Sequence, residues 1–390
     1  MTPSAAVISR KGAWFYAPYV LAILWVGAVV VTSLQAGAHH NNNFIIFRTS
    51  WYNLRSGHDL YAPSSVHRDF FLYSPTFALL FAPFAVLPFT VGLLLWNALN
   101  AGVLYWSLGR VLPVRQAFVA RAVVFLDAVG AMQNVQSNAL VAGLMILAFS
   151  ELERRRELRA AVAVALGAII KIFPIVAAVF AVFRPYRLPR FVLWGLVVGV
   201  ATIVAPLVAT SPASLADQFR SWGAIEAAVS DMRGYSVMEQ LHLWGVELPN
   251  KAVQIAGVVI LLAPLVQLPH WGSARFRLYF LASVLMFCVL FNHKAESPSF
   301  VIAVAGVGIW FALSKRDRVS WTVLAIVAIG TILSASDAMP EMLQQRFFQP
   351  YRIKTLPVLL VWLLTQLELW RRNVSAPFPS IEAPRAGIPT

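Results

Sequence analysis

The chain has 390 residues, 59% of them hydrophobic and 12% charged, with a net charge of +14 and a mean hydropathy of +0.70. A soluble globular chain averages about 45–50% apolar and about 25% charged residues, so a water-soluble domain is excluded. The basic excess accompanies no RGG, RNP-like or zinc-finger pattern; it points to loop orientation in a membrane rather than to a nucleic-acid partner.

Arg10 and Lys11 precede the first apolar block, Trp14 to Leu34. At about 21 residues it exceeds the about 7–15 of a cleaved signal and reads as an uncleaved first helix. Residues 35–71 then form a first external loop. Within its stretch NNNFIIFRTSWYNLRSGHDLYAP (41–63), Phe44, Phe47, Trp51 and Leu54 share one helical face, with Arg48, Asn53 and Arg55 off it. Such a helix lies in the membrane interface, either as an anchor or as a lid over a cavity open to lipid. Residues 72–88 carry Pro75, Pro83 and Pro88 and are expected to form a broken or re-entrant segment. Residues 160–183 lie between basic clusters and must turn back, with KIFP (171–174) at the apex. Irregular backbone at membrane depth is tolerated where it lines a cavity or is buried in protein, so a cavity is expected in this half.

From residue 184 onward, crossings near 191–210, 251–269, 278–293, 298–313, 321–338 and 354–370 leave external segments 211–250, 292–298 and 337–353. With the basic clusters inside, the whole net charge of +14 falls on the cytoplasmic side. His39, His40, His58, His67, His242 and His293 fall outside and His270 inside, which collects the polar chemistry on the periplasmic or external face. The expectation is an all-α, polytopic integral membrane protein of the inner (plasma) membrane. One domain over 1–372 holds about 10–13 transmembrane or re-entrant helices, followed by a disordered cytoplasmic tail, 373–390.

Asp59 and Asp69 are the only carboxylates before the second apolar block. A transfer enzyme at a membrane surface needs a carboxylate to take a proton from an acceptor hydroxyl, and partial burial would raise its pKa toward working pH. Gly57-His58-Asp59 is ordinary turn composition, whereas Asp69 stands against a membrane-entering segment. Tyr61, His67, Arg68 and Tyr73 lie nearby. Lys171 sits in an otherwise apolar block, where a lysine costs about 3 kcal/mol, and Pro174 would free carbonyls beside it. It is either a snorkelling lysine or a cation for an anionic headgroup such as a lipid-linked phosphate. FNHKAESP (291–298) packs His293, Lys294 and Glu296 into one turn, as caps or as site groups. MQNVQSN (132–138) offers Gln136 and Asn138 to sugar hydroxyls, and QQRFFQPYRIK (344–354) offers Arg346, Arg352 and Lys354 beside aromatic rings. The histidine spacing and the single Cys288 give no zinc pattern, and no Walker A or GxGxxG loop is present.

Taken together these pieces resemble glycosyltransferase family 87, polytopic enzymes of the GT-C class. NFIIFRTSWYNLRSGHDLY is similar to the family's first loop, D-F-x-x-Y followed by G-x-D-x-Y, and YSPTFALLFAPFAVLP to Y-P-P-x-F-A-L. MQNVQSNAL is similar to G-Q-x-N, AIIKIFP to A-x-x-K-x-x-P, and FNHKAESP to a Ser-Pro…Trp-x-His turn. The resemblance spans roughly residues 14 to 370. It implies a GT-C-like bundle with interfacial helices in the first loop. It also implies inverting transfer of a sugar, typically mannose, from a polyprenyl phosphate to a lipid- or glycan-linked acceptor, with membrane lipids as surroundings.

The family aspartate falls on Asn43, whose amide cannot act as a base, so the role passes to Asp59 or Asp69. Lys171, Lys294 and one of Arg346 or Arg352 would stabilise the departing phosphate, and His293 would orient hydroxyls. No cofactor beyond the lipid-linked donor is implied; no metal is required where cations already neutralise phosphate, and a divalent ion stays compatible with it. A transporter or flippase of lipid-linked saccharides would share the broken helices and the intramembrane cation. It would need a polar track reaching both faces, whereas the polar turns here gather on one.

Overall fold

The computed structural model describes residues 5–39, 41–336 and 339–371; the tail 373–390 and His40 lie outside them. Among the described residues every regular element is helical. They run α1 (Ala5–His39), α2 (Asn42–Ser56), α3 (Pro75–Leu80), α4 (Ala82–Ala85), α5 (Phe89–Val111), α6 (Val114–Gln133), α7 (Asn138–Glu153), α8 (Glu157–Ile170) and α9 (Leu188–Val204). There follow α10 (Pro212–Ala228), α11 (Val237–Leu243), α12 (Asn250–Leu262), α13 (Ala274–Leu290), α14 (Phe300–Leu313), α15 (Arg318–Val327), α16 (Glu341–Leu343) and α17 (Thr355–Leu369).

Three helical stretches, Tyr16–Ala38, Phe89–Val111 and Pro185–Val208, are long and apolar enough to cross a membrane by themselves. Two shorter apolar helices, Asn250–Val266 and Arg318–Leu333, gain length by changing helix type. A 3-10 stretch, Ala263–Val266, extends α12, and a π-helical stretch, Ala328–Leu333, extends α15. Both breaks read from the sequence are present. Residues 72–88 form two short helices, α3 and α4, and α8 stops at Ile170, after which Phe173–Phe183 is 3-10 helix packed on α7 and α8.

The core is an inner set of helices. Every residue of α14 is buried, and α7 and α13 are nearly so. A helix that is apolar all round belongs inside, and α14 packs between α6 and α13. α9 buries only Phe191 and exposes Leu193, Leu196, Val200 and Ile203, as a lipid-facing helix does.

The two ends of the bundle differ in chemistry. At the end reached by the C-termini of α5 and α7, Arg277 grips Glu153 bidentately at 2.8 and 2.7 Å. Arg184 stands 3.7 Å from Glu153, while Arg110 pairs with Glu151 and Arg187 with Glu157. These pairs tie the basic clusters into one brace across α5, α7, α8 and α13. The opposite end carries the first-loop helix and the polar turns.

Candidate functional site

The first loop builds one wall. In α2, Phe44, Phe47 and Leu54 are fully buried, on the face set by their spacing, and Trp51 is half-buried. Phe47 meets Tyr73, Phe77, Phe81 and Trp96 edge-on, with ring centroids 4.9, 5.1, 5.3 and 5.8 Å away. α2 therefore lies clamped on α3, α4 and α5 by aromatic packing. This fixes Asn42 and Asn43 at its first turn.

The turn 134–137 is the second wall, and α5 supports it from beneath. Asn97 Nδ2 donates to Met132 O at 3.2 Å, Trp96 Nε1 to Val135 O at 3.4 Å, and Asn100 Oδ1 accepts from Leu140 N at 3.1 Å. These buried side chains satisfy backbone groups that the break between α6 and α7 leaves open. Val135 is held at φ 51, a region costly for a β-branched residue and found where surrounding packing over-determines the backbone. Neither Asn97 nor Asn100 stands out in the sequence, since isolated asparagines in an apolar helix carry no pattern.

Between these walls, the break at Lys171 and the turn 291–298 lies a cavity of about 690 Å³. Asn43, Asp69, Tyr73, Gln136, Lys171, His293, Lys294 and Glu296 all line it. Asp69 is exposed at the rim, its Oδ2 taking the Asn42 amide at 2.7 Å. The partial burial expected of this carboxylate is absent. Asn43 donates to Asn134 O at 2.7 Å, tying the two walls together. Gln136 Nε2 donates to Glu296 Oε2 at 3.2 Å, and Glu296 also sits at the N-cap of the Ser297–Ser299 turn. Tyr73 is buried, and that burial, reinforced by Glu296, pushes its hydroxyl well above the ordinary phenol range. It stays a neutral donor.

His293 lies on the turn, half-buried. Gln254 Nε2 stands 3.4 Å from its Nδ1, and its Nε2 is buried with no hydrogen-bond partner among the described residues. Burial, then the charge of Lys294, hold the imidazole below the usual histidine value. Lys294 forms an ion pair with Glu226 of α10. Lys171 makes no ion pair among the described residues, and its backbone is extended at the end of α8. Among the described residues it is the free cation of this cavity.

Five expected site residues stand apart from that lining, and for each the reason is local. Asp59 Oδ1 accepts from Tyr61 N at 3.1 Å, which makes it a turn residue. Arg48 lies over the Phe89 ring at 5.9 Å. Asn138 is fully buried at the start of α7. Arg346 is exposed among Gln344–Phe348, and Arg352 lies over the Tyr235 ring at 4.6 Å and 4.0 Å from Glu239. The cavity instead gains Trp222 and Glu226 from α10 and Gln254 from α12. The sequence signal for α10 is Ser211 as N-cap, accepting from Ser214 N at 3.2 Å, with Pro212 at the first helical position. The loop preceding α11 is pinned to the same turn. Gly234 has φ +49, and a Cβ there would stand 2.4 Å from Ala295 O, which Tyr235 N reaches at 2.7 Å.

Fold and cavity define a helical membrane protein with its polar chemistry gathered between broken helices at one end of the bundle. A model of glycosyltransferase family 87 matches residues 71–292, more than half of the chain, and the protein belongs to that family. The matched segment includes Tyr73, Gln136 and Lys171 and ends one residue before His293. No curated protein matches the chain.

Proposed function

We propose that the protein transfers a mannose-like sugar from a polyprenyl phosphate to a lipid- or glycan-linked acceptor on the periplasmic or external face, by a single inverting displacement in a GT-C-type bundle. The observation that carries this is Lys171, unpaired among the described residues, in the same cavity as Asp69 and a His293 Nε2 likewise without a partner among them. The acceptor oxygen bonds to the anomeric carbon as the bond from that carbon to the phosphate oxygen breaks. The acceptor proton goes to Asp69, and the polyprenyl phosphate departs with its electron pair against Lys171. His293, neutral and oriented by Gln254, serves a hydroxyl. Phe70, Leu72 and Ile172 are exposed apolar residues on the cavity lining and suit the entry of an isoprenoid chain.

The test is transfer in vitro from a panel of radiolabelled polyprenyl-phosphate sugars into membrane lipids by the purified protein. Label should pass to a lipid product in wild type and be lost in Asp69→Asn. Transfer from soluble nucleotide sugars alone would contradict the reading.

A further inference from the structure

Behind the Asn134–Pro298 wall lies a second cavity of about 240 Å³, and these two residues line both cavities. Its lining is polar but nearly uncharged: Tyr235, Ser297, Ser334 and Gln349 surround one cation, Lys354. That cation is already neutralised. Lys354 Nζ stands 3.3 Å from Asp127 Oδ1 and donates to Ser297 Oγ at 3.2 Å. The side chains of Lys354 and Asp127 are only 7% and 3% exposed, and Asp127 Oδ2 has no hydrogen-bond partner among the described residues. Two residues 227 positions apart in sequence, one on α6 and one just before α17, thus bury an ion pair at a cavity wall. Burial of such a pair is weak evidence for stability, since well-packed apolar residues commonly do as well. A ligand that uses its polarity is a separate reason to keep it.

From this geometry we infer that the second cavity is a saccharide subsite, taking one neutral sugar ring of the acceptor beside the transfer cavity. Because Lys354 is matched by Asp127, the pocket offers hydrogen bonds without net charge, which suits hydroxyls and not a phosphate. Tyr235 and Phe348, both on the lining, supply apolar surface of the kind that the C–H face of a sugar covers. The volume equals that of about eight water molecules at about 30 Å³ each, room for one ring. The inference rests on the transfer reading and narrows it: the acceptor carries a glycan, and its hydroxyl reaches the larger cavity past Asn134 and Pro298.

The probe is an alkyl hexoside bearing a diazirine on the sugar ring, photolysed with the full-length protein in lipid nanodiscs without donor. Labelled peptides are mapped by mass spectrometry. Label is expected within residues 297–298, 334–335 and 344–349, falling about tenfold with excess methyl hexoside and unchanged by equal inorganic phosphate. Gln349→Trp, which fills the pocket from its exposed rim, should lower labelling by a similar factor. The competition arm uses wild type alone, so it stands even where that variant does not fold. Label confined to lipid-facing helices, or displaced by phosphate and not by hexoside, would overturn the subsite. The label needs no turnover: a failed transfer reading would leave it in place, whereas its loss would remove the subsite even where transfer is found.

Discussion

Replacing Phe47 by alanine should loosen the transfer cavity from a distance. The ring is fully buried and meets four aromatic rings edge-on within 5.8 Å. Each such pair contributes about 0.5–1.5 kcal/mol beyond area burial, and a buried Phe→Ala change costs about 3–5 kcal/mol including the residual cavity. Phe47→Leu keeps most of the bulk and loses the ring edges, so about 1–2 kcal/mol is expected. Trp51→Ala, on the same helix but half-buried, should cost less than Phe47→Ala because less surface is already hidden. The assay is thermal unfolding in nanodiscs, followed by tryptophan fluorescence, beside transfer activity. Activity should fall in the same order, because α2 positions the Asn42 contact to Asp69 and the Asn43 contact to Asn134. A Phe47→Ala protein as stable as Trp51→Ala would refute the clamped-helix account, and full activity after a large loss of stability would refute its link to the cavity.

Asp69→Asn should lower transfer about 100- to 10,000-fold, the range for a lost general base, while Asp59→Asn, whose carboxylate closes a turn and meets Ser221 Oγ away from the cavity lining, should keep most activity; kinetics on both variants decide between them. Glu153→Ala removes one partner of a buried bidentate pair with Arg277 and should cost about 3–5 kcal/mol, whereas Glu153→Leu combined with Arg277→Met should unfold close to wild type. His293 is held below its usual pKa, so the native state resists its protonation. Its contribution is complete above the unfolded value of about 6.5 and is lost as pH falls from there toward the folded value. Between about pH 7 and about pH 5 wild type should therefore lose more stability than His293→Gln, and equal losses in thermal scans would count against that burial.

How legible the molecule was depended on the range of the interaction. The aromatic face of α2 follows from spacing, and the breaks at 72–88 and 171–174 follow from proline, both local causes. The turn character of Asp59 was equally local. What stayed hidden was pairing across the bundle: Asp127 with Lys354, Glu153 with Arg277, and the α5 asparagines beneath the 134–137 turn. None leaves a periodic trace: Asp127 and the α5 asparagines stand in apolar stretches, Glu153 and Arg277 look like ordinary members of charged clusters, and Lys354 precedes α17. The arginines at 346 and 352 looked suited to phosphate because sequence cannot tell a surface cation from one facing a cavity. Helices α10 and α11 were missed within 211–250 although Ser211-Pro212 and Ser236 before Glu239 are readable N-terminal signals.

The most direct test of the account is the KM for the polyprenyl-phosphate sugar in wild type and Lys171→Met, measured at saturating acceptor with the purified protein in nanodiscs. If Lys171 is the cation that meets the donor phosphate, the variant should show a donor KM raised about tenfold or more, equivalent to about 1.4 kcal/mol, with acceptor KM little changed. An unchanged donor KM, with the protein folded and transfer intact, would contradict it.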